Sequence, residues 1–405
     1  MPESNLSANP ARPRDAVVDH RYDPALLDRP NRHQHLAAAL GGRVISNESG
    51  SFCLVSTTNP PEYAYGNMPA VDAMTSDTVP LSAFTKANEP GDLCRSSLLF
   101  LDTETTGLGG TGTVAFVVGC GVAGEHEFEV RQYVIPDYAD EPAMLQALQE
   151  EFTDTRTMVT YNGAAFDLPL LRDRLIVNRL ARDLARARHI DLLHPVRRLF
   201  RRRLGDCSLV NVERVLLDFH RTEDVPGYLI PSMYFEWLSE QNPRFMAAVL
   251  EHNRRDVVSL YYLALYLGHV FETEGSILET VDDLYSLSRL YSHRKEHERT
   301  LRLCGRIEAI ESKPEDEILL FQAQALKRAG AYEKAVLLWK KLGISPSREG
   351  YWANVELAKY YEHRDRDFEK ALAHATRANQ VSQITPGQKA LLSKRIHRLT
   401  SRLSS

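Results

Sequence analysis

From Ser97 onward, apolar residues form runs of strand length, and helical patterns appear between the later runs. Three strand-like runs come first, and a helical stretch from about Glu141 to Phe152 follows them. A further strand, a helix after Asp167 and another strand come next, and the chain to about residue 271 is mostly helical in pattern. The strand-like runs are "LLFLD", "VAFVVGCGVAG", "EFEVRQYVIP", "TMVTYN" and "HIDLL". This succession predicts an α/β domain over residues 95–271, with a mixed sheet flanked by helices.

The N-terminal part of the chain has a weaker pattern. Residues 1–35 are polar and rich in Pro, Asn and Arg, which predicts a flexible arm. Residues 36–94 carry short apolar runs, "GGRVI" and "SFCLV", among Pro and Gly residues. We expect a small N-terminal region there, either weakly structured or a strand-rich cap, and the sequence leaves its fold open.

Residues 280–405 have helical periodicity throughout, and the pattern repeats. "KEHERTLRL", "GAYEKAVLL" and "RDFEKALAH" align with one another and place His297, Tyr332 and Phe368 at equivalent positions, 35 and 36 residues apart. Tetratricopeptide-type helical hairpins repeat about every 34 residues. The spacing therefore predicts an all-α domain of such repeats, and the alternative is an ordinary helical bundle.

Composition narrows the class of protein. With 405 residues, 43% hydrophobic content and a net charge of −5, the chain is typical of a soluble globular protein of two or three domains. Its five cysteines are dispersed, which argues against a disulfide framework or a zinc site. No secretion signal is evident, and no apolar stretch reaches the roughly 20 residues of a membrane span. We therefore expect a cytoplasmic protein without a membrane partner.

Two carboxylates, Asp102 and Glu104, end the first apolar strand. Residues i and i+2 of a strand point to the same face, so these two acids project together. Crowded, dehydrated carboxylates repel each other, and a bound divalent cation such as Mg²⁺ would keep both ionised. The alternative is that the strand reaches the surface here and both groups are solvated.

Two later stretches carry similar chemistry. In "TYNGAAFDLPLL", Asp167 precedes a helix, where it can cap the N-terminus, act as a ligand, or do both. In "FMAAVLEHNRRDVVSLYYLALYL", the side chains of His252, Asn253 and Asp256 share the apolar stripe of a helix. Buried polar groups need partners, which here are either a metal site or an internal hydrogen-bond network.

Taken together, the order and spacing of these three motifs resemble those of the ribonuclease H-like superfamily of DEDD exonucleases. The closest resemblance is to the bacterial YprB-like ribonuclease H-like domain family, which can carry tetratricopeptide-type repeats behind the nuclease domain. The resemblance implies two Mg²⁺ or Mn²⁺ ions, held by Asp102, Glu104, Asp167 and Asp256, with His252 as the residue that activates water. His252 stands four residues before Asp256, the spacing at which one of the two large exonuclease subclasses has Tyr. The other subclass has His with one more intervening residue, which leaves the role of His252 as base open.

Substrate-binding residues are expected around this site and in a basic segment. Residues 171–221 contain 13 Arg and six acids, a local excess in a chain of negative net charge. Arginine pairs bidentately with phosphate, although a run of charge is often only a solvated helix face. The candidates are Thr103, Asn162, Asp191, Arg197, Arg198, Arg201 and Arg202. Asn162 can instead make a turn, and Asp191 can instead cap one.

The resulting prediction is a metal-dependent nuclease of single-stranded DNA or RNA, a 3′–5′ exonuclease in the first instance. Two alternatives stay open. One is a structure-specific endonuclease on the same scaffold, and the other is a non-catalytic adaptor that acts through the repeats. A stack of helical hairpins forms a concave surface, so a protein partner is expected there in any of the three cases.

Overall fold

The computed structural model describes residues 29–59, 66, 78–81, 93–107, 110, 112–124, 127–153, 155–180, 184, 188–382 and 384–404. Most of the predicted arm lies outside these residues, and its last part belongs to helix α1 (Arg29–Ala39). The described chain divides into two compact units. The first comprises residues 29–59, 94–191 and 220–262, and the second comprises residues 192–219 and 263–404 together with described residues between 66 and 93.

A seven-stranded sheet forms the centre of the first unit, in the order β1-β2-β7-β6-β5-β8-β9. Strands β5, β8 and β9 run parallel to one another, and the remaining neighbours are antiparallel. The predicted mixed sheet is thus confirmed. The strands of the sheet are β1 (Arg43–Asn47), β2 (Gly50–Asn59), β5 (Leu98–Thr105), β6 (Ala115–Ala123), β7 (Phe128–Val134), β8 (Thr157–Thr160) and β9 (Arg188–Asp191), while β3 (Thr78–Val79) and β4 (Leu93–Cys94) pair separately.

The region whose fold the sequence left open contributes two strands to this sheet. Strand β1 pairs with β2 in a hairpin, and β2 pairs with β7 along seven residues, from Cys53 opposite Val134 to Asn59 opposite Phe128. Phe52 and Cys53 are fully buried in the core of the unit. The apolar run "SFCLV" is therefore part of the main sheet rather than of a separate cap.

Helices α2 (Glu141–Leu148), α3 (Asp167–Val177), α6 (Ile230–Glu240) and the first part of α7 (Pro243–Glu272) complete the first unit. Helix α7 approaches strand β6 closely because that strand has glycine at positions 119 and 121. A Cβ atom on Gly119 would lie 2.3 Å from Oδ1 of Asn253, and one on Gly121 would lie 2.7 Å from Cγ1 of Val257. The alternating glycines of "VVGCGV" thus allow α7 to carry its side chains to the sheet.

The second unit is helical and contains stacked helix pairs. Each residue that the repeat alignment singled out, His297, Tyr332 and Phe368, is the first residue of a helix. Short helices α4 (Leu193–Leu204) and α5 (Leu209–Val212) also belong to this unit. The paired helices are α8 (Val281–His293), α9 (His297–Ile310), α10 (Asp316–Arg328), α11 (Tyr332–Leu342), α12 (Arg348–Tyr360) and α13 (Phe368–Asn379), and α14 (Pro386–Leu403) ends the chain. None of the helices within the described residues is long and apolar enough to cross a lipid bilayer.

Candidate active site

Asp102 and Glu104 lie on β5, in the middle of the sheet. Strand β5 is paired on both sides, and Asp102 lies opposite Gly119 of β6. Glu104 is 9% exposed and interacts electrostatically with Asp102. Glu104 is therefore buried rather than solvated at the surface, and Asp102 is half-buried.

Helix α7 joins the third motif to the first. The amide of Asn253 is fully buried and donates to Oδ2 of Asp102 at 2.8 Å and to the backbone carbonyl of the same residue at 3.3 Å. Its oxygen accepts from Nε2 of Gln132 at 2.9 Å. Because both ends of this amide are bonded, Asn253 fixes the position of α7 against β5. The inward direction predicted for the polar groups of this helix is confirmed.

The second motif reaches the same place through Thr103. Helix α3 begins at Asp167, and Oδ1 of Asp167 accepts a hydrogen bond from the Thr103 hydroxyl at 2.5 Å. The residue at the N-cap is Phe166, which makes no side-chain cap, so Asp167 belongs to the first helical turn. The Thr103 side chain is thus occupied with a neighbouring carboxylate.

Asn162 and Asp191 build the turn that precedes Asp167. Asn162 has a left-handed backbone conformation, with φ of 64°, which Asn tolerates better than most residues. The carboxylate of Asp191 accepts from the backbone N–H of Asn162 at 2.8 Å and from that of Ala164 at 3.2 Å. These contacts fit the turn and cap alternatives that the sequence left open for both residues.

His252 lies among three carboxylates. Its Nδ1 atom is 2.9 Å from Oδ1 of Asp224, while Nε2 is 4.0 Å from Oε1 of Glu104 and 3.7 Å from Oδ2 of Asp256. An ionised carboxylate can only accept hydrogen bonds, so Nδ1 carries the hydrogen in this pair. In the neutral ring Nε2 is then the acceptor nitrogen, and it faces the acids of the first and third motifs.

Arg221 bridges two acids of the cluster. Nη2 of Arg221 is 2.5 Å from Oδ1 of Asp256, and Nη1 is 2.9 Å from Oδ2 of Asp224. The Arg221 side chain is 4% exposed. Asp224 therefore holds His252 with one carboxylate oxygen and Arg221 with the other.

Burial and mutual repulsion shape the protonation of these groups. Burial, followed by the charges of Asp256 and Asp167, raises the pKa of Asp102 well above its usual value. Burial and the neighbouring carboxylates, Asp102 first among them, raise the pKa of Glu104 in the same direction. Burial raises the pKa of Asp167 to about 6, although the Thr103 hydrogen bond opposes it. Burial would also raise the pKa of Asp224, but hydrogen bonds from Arg221 and His252 outweigh it and lower this pKa.

The donor set suits a hard divalent cation. Carboxylate oxygens are the ligands that Mg²⁺ and Mn²⁺ prefer, and burial together with neighbouring carboxylates disfavours the ionised forms of Asp102 and Glu104 when no cation is bound. Among the residues that the structure describes, no three carboxylate, imidazole or thiol groups already stand as a metal-binding cluster. Protein donors engage the predicted ligands instead: Asn253 on Asp102, Thr103 on Asp167 and Arg221 on Asp256.

The four arginines chosen from the sequence differ in their surroundings. Arg197, Arg198 and Arg201 of α4 are exposed. Arg202 forms ion pairs with Asp282, Glu315 and Glu317, all of the second unit. Its guanidinium therefore takes part in the packing of that unit.

Sequence reasoning missed Arg221 and Asp224. Both lie in "HRTEDVPGYLIP", a polar stretch without a periodicity from which a role could be assigned. Gln132 was also missed, because a single polar residue within a strand gives no local indication of its partner. For Arg221 and Asp224, the only indication in the sequence of a role at the site was the concentration of ionisable residues in a segment between two motifs.

The sheet order, the parallel β5-β8-β9 core and the acids at its centre define a ribonuclease H-like domain. The model of the RNase_H_2 family, of the RNase_H superfamily, matches residues 99–267. Over 316 residues the chain is 34% identical to the uncharacterized protein YprB of Bacillus subtilis (strain 168). The aligned region covers 77% of this chain and 76% of YprB. The chain therefore belongs to the RNase H superfamily, in the same family as YprB, and this membership indicates a role in nucleic-acid processing.

Proposed function

We propose that this protein is a metal-dependent nuclease that hydrolyses phosphodiester bonds of single-stranded nucleic acid. The observation that carries the proposal is the convergence of three distant segments on one cluster. Asn253 bonds Asp102, Thr103 bonds Asp167, and His252 lies within 4.0 Å of both Glu104 and Asp256. An acid cluster with an oriented imidazole supplies the protein groups that metal-dependent phosphodiester hydrolysis uses.

Asp102, Glu104, Asp167 and Asp256 are the residues that would hold two Mg²⁺ or Mn²⁺ ions. When bound, such a pair of ions activates water and stabilises the leaving oxygen. The chain itself supplies an oriented base: Asp224 fixes the hydrogen on Nδ1 of His252, which leaves Nε2 to accept a proton. Thr103 and Asn253 hold two of the carboxylates in place.

For the substrate we propose contacts with the phosphate backbone through Arg197, Arg198 and Arg201. Their exposure and the local excess of arginine support this assignment, which predicts binding that weakens with salt. Thr103, Asn162 and Asp191 are engaged by residues around the acid cluster, so we assign to them the support of the site rather than direct contact with substrate. Arg202 is engaged by acids of the second unit, and we assign to it no direct contact with substrate.

The family resemblance favours digestion from the 3′ end, and we propose this polarity. We also propose that the stacked helix pairs are tetratricopeptide-type repeats that bind a protein partner. The equivalent helix starts, 35 and 36 residues apart, support this second assignment.

The test is a time course of the full chain with Mg²⁺ or Mn²⁺ on end-labelled single strands of DNA and of RNA. The proposal predicts progressive shortening from the 3′ end, and Asp102→Asn reduces the rate at least about a hundredfold. Asp173→Asn, an exposed acid of α3, is the matched control and retains activity. A folded wild-type chain that cleaves neither strand would favour the adaptor, while internal cuts would favour the endonuclease.

A further inference from the structure

Arg221 carries a full positive charge in a place that is closed to solvent. Its two terminal nitrogens bond different carboxylates, Asp256 at 2.5 Å and Asp224 at 2.9 Å. A guanidinium remains charged at any ordinary pH, and its planar fork suits a bridge between two acids. Arg221 therefore neutralises part of the acid cluster from within the protein.

The charge of Arg221 lies against an oxygen of one of the proposed ion ligands. Oδ1 of Asp256, a predicted ligand, is occupied by the Arg221 hydrogen bond, and a carboxylate oxygen bonded in this way is a poorer ligand. Two cations close to one carboxylate also repel each other. Ion binding at Asp256 and the present position of Arg221 therefore oppose each other.

The segment that carries Arg221 is held by side-chain contacts. Residues 218–226 contain no helix or strand, so their movement breaks no regular backbone pairing. Arg255 contacts the segment from α7, through the carbonyl of Thr222 at 2.9 Å. Asp224 adds a bond to Nδ1 of His252 and an ion pair with Arg255 to the two ion pairs of Arg221, so release of Asp256 rearranges side-chain contacts of this segment.

We propose that Arg221 is an internal cation that competes with the divalent ion for Asp256 and sets the ion affinity of the resting protein. The inference rests on the proposed function, because it takes the four carboxylates as the ion site. Loading of the ion then requires Arg221 to release Asp256, which couples the metal site to the position of the 218–226 segment.

The test measures Mn²⁺ binding to the full, metal-free chain by isothermal titration calorimetry, with no nucleic acid present. Arg221→Gln removes the competing charge and is expected to bind Mn²⁺ about tenfold more tightly than the wild type, a change of about 1.4 kcal/mol. Arg43→Gln, at an exposed position of the edge strand β1, is the matched control and keeps the wild-type affinity. Circular dichroism verifies that each variant is folded.

Two further variants separate the possible outcomes. Arg221→Lys keeps the charge but cannot bridge both acids, so its affinity is expected to lie between those of the wild type and Arg221→Gln, and it serves if Arg221→Gln does not fold. Asp102→Asn reports on the ion site itself. If Asp102→Asn abolishes binding while neither Arg221 variant binds more tightly, the competition is refuted and the proposed ion site stands. If neither the wild type nor any Arg221 variant binds Mn²⁺, or if Asp102→Asn binds as the wild type does, both proposals fail.

Discussion

Replacement of Gly119 by alanine tests whether close packing of α7 on β6 positions the acid cluster. The added Cβ would lie 2.3 Å from Oδ1 of Asn253 and 2.8 Å from Cγ2 of Val257, so one or both side chains must move. Overpacking of this kind costs about 1–3 kcal/mol. Displacing the buried Asn253 amide from Asp102 and Gln132 costs about 1–3 kcal/mol more. We expect a total loss of about 2–6 kcal/mol.

The assay is native-state hydrogen exchange at the amides of β6, because a chain of two compact units has no single free energy of unfolding. Gly121→Ala is the matched control. Its Cβ would meet the Phe128 ring at 2.4 Å and Val257 at 2.7 Å, which is an apolar collision without loss of a polar contact. Its expected cost is about 1–3 kcal/mol, from overpacking alone.

A double-mutant cycle tests whether Asn253 is the side chain that the added Cβ displaces. In the Asn253→Ala background the 2.3 Å collision is absent and only the one with Val257 remains. Gly119→Ala should therefore cost at least about 1 kcal/mol less in that background than in the wild type. An unchanged cost, within about 0.5 kcal/mol, would refute the idea that Gly119 exists to admit the Asn253 side chain.

Two further predictions concern a titrating histidine and the turn before α3. Burial, followed by the charges of Arg377 and Lys340, lowers the pKa of His374 to about 4 from 6.5. The unfolded chain then binds more protons between these values, so stability of the helical unit falls as the pH falls from about 6.5 to about 4. Thermal unfolding of His374→Gln should lack this part of the pH dependence, and identical slopes in both proteins would contradict it. Asp191→Ala removes the acceptor of two turn N–H groups and should lower protection from exchange in residues 160–170 by about 1–3 kcal/mol, whereas unchanged protection there would show that the turn stands without it.

The elements that the sequence predicted well are those with a local cause. A strand shows its faces through alternation and its burial through continuous apolar residues, so "LLFLD" and "TMVTYN" could be placed without knowledge of their neighbours. The common direction of Asp102 and Glu104 follows from the same two-residue period, and that of Asn253 and Asp256 from the period of a helix. Equivalent helix starts at Tyr332 and Phe368 were likewise visible as a repeat.

Contacts that depend on the path of the chain were not visible in this way. The runs "GGRVI" and "SFCLV" have strand propensity, but only the pairing of β2 with β7, 69 to 81 residues away along the chain, makes them part of the main sheet. Likewise, "HRTEDVPGYLIP" shows charge without periodicity, so nothing local separates a solvated loop from one that inserts Arg221 between two buried acids.

The sequence by itself therefore determined the order of the elements, the residues that share a face and the chemical types available for a site, since these follow from periods of two and 3.6 residues. The tertiary structure alone decided which protein groups engage each acid. Asn253 reaches Asp102 across 151 residues of chain only because two glycines let a helix approach a strand. Such a contact depends on the close packing of distant segments, and no local pattern encodes it.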